Sequence, residues 1–315
     1  MKKDLLAVSD LNVEEMQIVF RRADELKDIK RFESYLKGKT LALVFEKPST
    51  RTRLSFEIAM RQLGGDSIYM NASDMQLSRG ESIKDTAKTL ERYVDGIVAR
   101  VHRHKDVADL ARHATIPVIN GLSDLHHPCQ ALADMYTIRE KKRRFRGLKF
   151  AYVGDGASNM ADSLMFIATK LGMDVYVATP KKYAPNPQIL KGVEANAKRF
   201  WGTFKIVPTV KQAVTNADII YTDTWVSMGE EAEARKREKE LRAYQVNSEV
   251  VKLASEDCMV MHCLPAHRGH EITDDVIDGP NSVVFDQAEN RMHVQKAILT
   301  MLLLEPKRQV FKPFY

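Results

Sequence analysis

Hydroxyl and arginine side chains follow an apolar run near the start of the sequence. Residues 40–45 are apolar and strand-like, and the run Ser49-Thr50-Arg51-Thr52 comes shortly after them. Leu54 and Ile58 then recur at near-helical spacing, which predicts a helix that starts at these hydroxyls. A helix start offers unpaired N–H groups, and an arginine fork can hold two phosphate oxygens. The run is therefore predicted to bind an oxyanion, although a helix cap beside a solvated arginine would explain each residue singly.

Polar side chains also follow several later strands of the predicted pattern. Strands and helices alternate along the chain, which is typical of parallel sheets covered on both faces. Ligands bind beyond the carboxyl ends of such strands, so the side chains at those ends are the candidates for binding. Besides the first run, the candidates are Arg100, His102, His104, His126, His127, Pro128, Cys129, Gln130, Asp155, Asn159, Asp223, Ser227, Met228, Cys263 and Leu264.

The alternation of strands and helices occurs twice, which predicts two doubly wound α/β domains with the active site in the cleft between them. A basic run and a glycine at 140–148 separate the halves, giving a first domain of 1–140 and a second of 148–288. A last helix at about 289–304 is expected to pack back across the first domain. The predicted strands are 40–45, 67–71, 96–101, 116–120, 149–154, 174–178, 203–207, 218–222, 259–263 and 282–285.

Composition limits the class of protein. The 315 residues are 44% apolar and 29% charged, which suits a globular chain of about two domains. The apolar runs are far shorter than the roughly 20 residues needed to cross a membrane, and no signal-peptide pattern opens the chain. Three cysteines without CxxC spacing argue against a disulfide framework and predict a cytoplasmic location. Residues 227–243 hold few large apolar side chains, so they are expected to form a mobile loop or an exposed helix.

The net charge of +6 allows two classes of partner, nucleic acid or small anionic substrates. The densest basic run, residues 141–146, resembles a solvated helix end, and the chain lacks the aromatic-plus-basic signatures of common RNA-binding modules. A mildly basic enzyme explains the charge as well, so nucleic acid is not an expected partner.

The candidate residues divide into two chemical sets. Those of the first set are cationic or rich in hydrogen-bond donors, which suits a doubly charged phosphate beside a polarisable carbonyl. In the second set, Asn159, Asp223 and Ser227 offer a carboxylate for an ammonium group and donors for a carboxylate, as an amino acid would need. The residues alone therefore predict a group transfer between an anionic phosphate compound and an amine.

Four motifs in order give the chain a more specific likeness. Ser-Thr-Arg-Thr-Arg at 49–53, His-Pro-Cys-Gln at 127–130 and His-Cys-Leu-Pro at 262–265 resemble the transcarbamylase family. Asp223 with Ser-Met-Gly at 227–229 resembles the ornithine carbamoyltransferase branch, since the aspartate branch has a basic segment there. The resemblance covers nearly the whole chain.

The resemblance implies that one group of residues binds carbamoyl phosphate. The phosphate would lie on the hydroxyl and arginine run, and Thr52, Arg100 and His127 would polarise the carbonyl of the carbamoyl group. The implied catalytic residues are Arg51, Thr52, Arg100, His127 and Cys263. The implied carbamoyl-phosphate-binding residues are Ser49, Thr50, Arg51, Thr52, Gln76, Arg100, His127, Pro128, Cys129, Gln130, Cys263, Leu264 and Arg291.

The resemblance also implies an acceptor site and an assembly. Asn159, Asp223, Ser227 and Met228 would bind the α-amino and α-carboxylate groups of ornithine, whose neutral δ-amine would attack the carbonyl carbon and expel phosphate. Positioning and stabilisation of the tetrahedral oxyanion would carry this reaction, and no metal, organic cofactor or covalent enzyme intermediate is implied. Gln76 matches a residue that reaches into a neighbouring subunit's site, which implies a homotrimer or a multiple of trimers.

Some alternatives fit parts of the sequence. A transcarbamylase for another amine, such as putrescine or N-acetylornithine, would share the phosphate-side motifs. Asp223, however, has a binding role only if the acceptor carries a free α-ammonium. The histidine clusters lack the spacing of zinc fingers or of His-Glu-x-x-His, so no metal site is expected. Gly154-Asp155-Gly156 suggests a dinucleotide site, but Asn159 replaces the third glycine of G-x-G-x-x-G. Ser158 departs from the family pattern, in which many relatives carry a second Asn.

Overall fold

The computed structural model describes residues 3–27, 34–226 and 231–304. These residues form two compact units. Unit 1 contains the described residues within Met1–Leu6, Glu14–Ser123 and Met292–Tyr315, and unit 2 contains Ala7–Val13 and the described residues within Asp124–Arg291. The division after Ser123 falls earlier than 140–148, because the helix over 128–142 packs on the helix over 159–170 in unit 2.

Unit 1 is built on a four-stranded parallel sheet with the strand order β2-β1-β3-β4. The chain leaves β1 to form β2 on one side and then crosses to β3 on the other, so the topological switch point lies between β1 and β3. The strands are β1 (Thr40–Phe45), β2 (Asp66–Asn71), β3 (Gly96–Arg100) and β4 (Val118–Leu122), and the helices are α1 (Val13–Lys27), α2 (Thr50–Gln62), α3 (Ile83–Leu90) and α4 (His104–His113).

Unit 2 is built on a five-stranded parallel sheet with the order β7-β6-β5-β8-β9, whose switch point lies between β5 and β8. The strands are β5 (Lys149–Val153), β6 (Asp174–Ala178), β7 (Phe204–Val207), β8 (Ile219–Thr222) and β9 (Met259–Met261). The helices are α5 (Pro128–Lys142), α6 (Asn159–Lys170), α7 (Pro187–Arg199), α8 (Val210–Val214), α9 (Ala234–Leu241), α10 (Ser248–Val251) and α11 (Asp274–Ile277). The last helix, α12 (Val284–Leu303), has its first residues in unit 2 and its remainder in unit 1.

Helices cover both sheets, and the central strands are apolar on both faces. All five residues of β3 and all four of β8 are buried, as expected for parallel strands with helices on either side. The predicted arrangement of two parallel-sheet α/β domains is confirmed. None of the described helices is long and apolar enough to cross a membrane.

Two predicted elements differ from the structure. The strand predicted at 282–285 is wrong, because Ser282 forms only an isolated bridge to Val260 and α12 already begins at Val284. A short apolar run of this kind cannot be assigned to strand or helix from its periodicity. Within the predicted loop, 227–230 lie outside the described residues, and α9 is not wholly exposed, since Arg237 and Leu241 are buried.

Ser158 begins α6 beside the predicted acceptor site, and its replacement tests this cap. Its Oγ accepts the N–H of Ala161 at 3.1 Å and forms a hydrogen bond with the hydroxyl of Tyr152 at 3.1 Å. Ser158→Ala should lower the free energy of unfolding by about 1–2 kcal/mol in a denaturant titration, because a helix N-cap is lost. Ser158→Asn keeps a good cap and should cost less than half as much; equal losses would contradict the capping role.

Candidate functional site

The first predicted run lies at the switch point of unit 1. Ser49 caps α2, because its Oγ accepts the N–H of Thr52 at 3.2 Å and donates to the Thr52 hydroxyl at 3.0 Å. The strand register places Arg100 opposite the last residue of β1, and the N–H of Glu46 donates to the Arg100 carbonyl at 2.8 Å. The Glu46 carboxylate accepts the N–H of His102 at 2.6 Å. The turn after β1 and the end of β3 are thus held at one edge of the sheet.

This edge offers donors and positive charge. Thr52 and Arg100 are buried, whereas Arg51 is partly exposed and Thr50 is exposed. The first turn of α2 contains no acidic residue, so no side chain of that turn neutralises the positive end of the helix dipole. Gln76 is exposed in a short 3-10 helix that follows β2, the other neighbour of β1. This geometry suits an anion with several oxygens.

The described residues of the second set lie in unit 2, and so does His127, which was predicted for the first domain; the starts of two helices are tied together there. His127 precedes α5, which begins at Pro128, and the N–H of His127 donates to the Ser163 hydroxyl at 3.0 Å. That hydroxyl donates to the carbonyl of Asn159, the first residue of α6, at 2.7 Å. Asp223 follows β8, which is the neighbour of β5 at the switch point. Residues after both central strands therefore lie at the same sheet edge.

Cys263 donates a hydrogen bond to the Asp223 carboxylate. The Sγ to Oδ1 distance is 3.1 Å, and the same oxygen accepts the N–H of Thr224 at 2.8 Å. Burial and the adjacent Asp223 raise the pKa of Cys263 well above its ordinary value, so the thiol stays protonated at neutral pH. Because a thiolate is needed for nucleophilic attack, this thiol orients a carboxylate and does not act as a nucleophile.

The imidazole of His262 supports the turn after β9. Its Nδ1 accepts the N–H of Leu264 at 2.9 Å, so Nε2 carries the proton and donates to Glu271 Oε1 at 3.2 Å. The same carboxylate oxygen accepts the N–H of His267 at 2.6 Å. Leu264 has a φ of 57°, a conformation that side chains other than glycine rarely adopt, and the imidazole contact helps to hold it.

One group of possible metal ligands occurs among the residues that the structure describes: Asp223, His262 and Cys263, whose ligand atoms lie within 4.8 Å of one another. Its chemistry does not favour a cation. Both nitrogens of His262 already have hydrogen-bond partners, and the thiol has a raised pKa, whereas a metal needs a free imidazole nitrogen and a thiolate. The geometry assigns His262 to the support of the turn after β9 and Cys263 to the orientation of Asp223.

A buried hydrogen-bond network lies behind the start of α5, and the sequence prediction missed its centre, Asp134. Its carboxylate accepts Gln130 Nε2 at 2.7 Å, Gln287 Nε2 at 2.7 Å and the Tyr221 hydroxyl at 2.9 Å. Arg291 donates to Gln130 Oε1 at 3.1 Å. Burial raises the pKa of Asp134 to about 7, against the lowering effect of these donors. The sequence contains one signal for this network. Asp134 lies four residues after the candidate Gln130, and so on the same face of an apolar helix.

A second group that sequence reasoning missed surrounds Arg237 of α9. Its Nε donates to the carbonyl of Trp225 at 2.6 Å, and its Nη2 forms an ion pair with Asp155. The guanidinium carbon lies 4.9 Å from the centre of the Tyr183 ring. These contacts connect α9 with the turns after β8 and β5. Arg237 lies in a run of charged residues, and composition does not tell which member of such a run is buried.

Of the predicted site residues, two are not among the described residues and a third is buried in the interior. Ser227 and Met228 lie outside the described residues. Cys129 is fully buried, and burial raises the pKa of its thiol to about 12, so its side chain packs into the interior.

Comparisons with known proteins cover both units. The model of the aspartate/ornithine carbamoyltransferase carbamoyl-P binding domain matches residues 3–140, and that of the Asp/Orn binding domain matches residues 146–302. The ornithine carbamoyltransferase of Thermococcus kodakarensis is 57% identical over 304 residues, covering 96% of each chain. A Pyrococcus furiosus relative named "Ornithine carbamoyltransferase, anabolic" is also 57% identical over 96% of each chain.

Solved structures agree with these relatives. The structure of ornithine carbamoyltransferase from Pyrococcus furiosus has a TM-score of 0.92 at 56% identity, covering 96% of this chain and 97% of that one. The enzyme of the same name from Thermus thermophilus has a TM-score of 0.87 at 44% identity, covering 96% of this chain and 100% of that one.

Replacing Glu271 tests how the buried carboxylate supports the turn after β9. Glu271→Leu leaves the N–H groups of His262 and His267 without this acceptor, so the free energy of unfolding should fall by about 2–4 kcal/mol. Glu271→Gln retains one oxygen that can accept both N–H groups and should cost less than half of that. Denaturant titration of both variants measures the difference, and equal losses would show that the acceptor oxygen is not what matters.

Proposed function

The chain belongs to the aspartate/ornithine carbamoyltransferase family, and from this premise we propose that it transfers the carbamoyl group of carbamoyl phosphate to the δ-amine of L-ornithine. The products are L-citrulline and phosphate, a step of arginine biosynthesis, in line with the relative named anabolic. The observation that carries the choice of acceptor is the buried carboxylate of Asp223, oriented by the Cys263 thiol at 3.1 Å beside the switch point of unit 2.

In the proposed reaction, unit 1 binds the phosphate. Ser49, Thr50 and Thr52 supply hydroxyl and backbone donors at the start of α2, and Arg51 and Arg100 supply positive charge. The first turn of α2 supports this role, because it carries no acidic residue and an anion is stabilised at a helix N-terminus.

A further group of residues acts on the carbamoyl carbonyl. Thr52, Arg100 and His127 polarise it, while Gln130 and Arg291 hold the carbamoyl group. The backbone of Cys263 and Leu264 completes this part of the site. As the δ-amine attacks, negative charge develops on the carbonyl oxygen, and fixed donors stabilise it without reorganisation.

Unit 2 binds the amino acid end of ornithine. Asp223 pairs with the α-ammonium, and Asn159 with Ser227 and Met228 binds the α-carboxylate. The δ-amine is left free, and it must enter the reaction in its neutral form because a protonated amine has no lone pair for attack on the carbonyl carbon. Holding the amino acid end of the substrate supplies the orientation that the transfer needs.

The assembly and the location are further parts of this proposal. Gln76 is exposed on a short helix after β2, which supports a role in the site of a neighbouring copy, so we expect a homotrimer or a multiple of trimers. All three cysteines lie within the described residues and none forms a disulfide, which supports a reducing cytoplasm.

The first test is phosphate release from carbamoyl phosphate with ornithine, putrescine, N-acetylornithine and aspartate side by side, without added metal, with citrulline identified as the product from ornithine. We expect turnover with ornithine alone, because N-acetylornithine lacks the free α-ammonium that Asp223 would bind and putrescine lacks the α-carboxylate. Turnover with putrescine or N-acetylornithine would keep the phosphate-side roles and overturn the acceptor side. No turnover with any of the four would overturn the proposed reaction.

Asp223→Asn tests the acceptor side directly. It should lower kcat/KM for ornithine by at least about 30-fold, because losing one partner of a buried charge pair costs about 2 kcal/mol or more. The KM for carbamoyl phosphate should change less than about threefold, since this carboxylate serves the other substrate. A parallel rise of both KM values would assign Asp223 to the general integrity of unit 2.

A further inference from the structure

We infer that Asp134 is a positioning residue that fixes the side-chain amide of Gln130 with its oxygen toward Arg291 and its nitrogen toward the interior of unit 2. This inference rests on the proposed function, in which Gln130 contacts the carbamoyl group. Asp134 itself is completely buried and is placed one helical turn after Gln130 on α5.

The hydrogen-bond chemistry of the two neighbours determines the orientation of the Gln130 amide. A guanidinium only donates hydrogen bonds, so the amide oxygen must face Arg291, at 3.1 Å. The amide nitrogen then faces Asp134, whose carboxylate accepts it at 2.7 Å. Tyr221 donates to the second carboxylate oxygen at 2.9 Å, so both oxygens of Asp134 act as acceptors.

The same carboxylate fixes a second amide by the same rule. Gln287 Nε2 donates to Asp134 at 2.7 Å, and Gln287 Oε1 accepts the backbone N–H of His262 at 3.1 Å. Asp134 therefore joins α5, β8 and α12, and it reaches the turn after β9 through Gln287. The Gln287 amide cannot turn over without losing its bonds to Asp134 and to His262. Burying a carboxylate among neutral groups costs folding free energy. The neutral donors around Asp134 offset that cost only while they keep this arrangement.

The orientation matters for the carbamoyl group, which has an NH2 donor beside a C=O acceptor. With its oxygen outward, Gln130 presents an acceptor that the carbamoyl NH2 can use. If the amide turned over, its NH2 would oppose both the Arg291 guanidinium and the carbamoyl NH2, leaving buried donors without partners. Asp134 thus acts on the substrate through Gln130 and touches none of the reacting atoms.

The test compares two variants of the same carboxylate contact in the full chain. Asp134→Asn has nearly the same shape, but its amide both donates and accepts, so it no longer dictates the Gln130 orientation. We expect the KM for carbamoyl phosphate to rise at least about 10-fold, the effect of one misplaced hydrogen bond, while the KM for ornithine stays within about threefold. Tyr221→Phe is the matched control, because it removes one donor to Asp134 and a longer contact with Gln287 Nε2 at 3.2 Å but leaves both contacts of the Gln130 amide; its KM values should change less than about twofold.

A polarity exchange completes the test. In the double variant Gln130→Glu with Asp134→Asn, a carboxylate at position 130 can accept from Arg291 and from the new amide, so the acceptor at position 130 returns, although the contact of Gln287 Nε2 with the same atom of residue 134 is lost. The double variant should regain most of the carbamoyl phosphate affinity lost in Asp134→Asn. If the single variant does not fold, the double variant still allows the affinity to be measured.

Several results would overturn the inference. These are a double variant no better than the single one, equal effects of Asp134→Asn and Tyr221→Phe, or failure of both Asn variants to fold. If wild-type protein forms no citrulline, the proposed function fails separately, and titration calorimetry of carbamoyl phosphate with the same variants decides the role of Asp134.

Discussion

A parallel sheet that begins with a central strand must send its connections to opposite faces, and this leaves space between two neighbouring strand ends. In unit 1 the space lies between β1 and β3, and in unit 2 between β5 and β8. The Ser49 turn and Arg100 lie at the first position, and Asn159 and Asp223 at the second. Each unit therefore brings polar groups from distant parts of the chain together on short turns. The buried strands that precede these turns hold them in place.

The interior of unit 2 uses hydrogen-bond polarity to orient groups that could otherwise turn. A carboxylate accepts, a guanidinium or a backbone N–H donates, and an amide or imidazole between two such partners has one allowed orientation. Gln130, Gln287 and His262 all stand in this position. Because each of these groups is buried, an incorrect orientation would leave unsatisfied polar atoms, and the penalty is larger there than at the surface.

The sequence alone predicted the alternating strands, the two parallel sheets and the turn at Ser49, because periodicity and local motifs determine those features. It did not predict the role of Asp134, which depends on Gln287 more than one hundred and fifty positions away. Nor did it separate the buried Arg237 from its exposed charged neighbours, because burial there depends on Asp155 and Trp225. The strand assigned to 282–285 failed since a short apolar run fits a helix start equally well.

The protonated state of the thiols has a consequence for the chemical durability of the chain. Burial raises the pKa of Cys129 and of Cys258 to about 12, and burial with Asp223 raises that of Cys263 as well. Peroxide attacks thiolates, and sulfenic acid forms fastest at exposed thiols of low pKa. The three cysteines of this chain have raised pKa values, and two of them are buried, so peroxide is expected to oxidise them slowly.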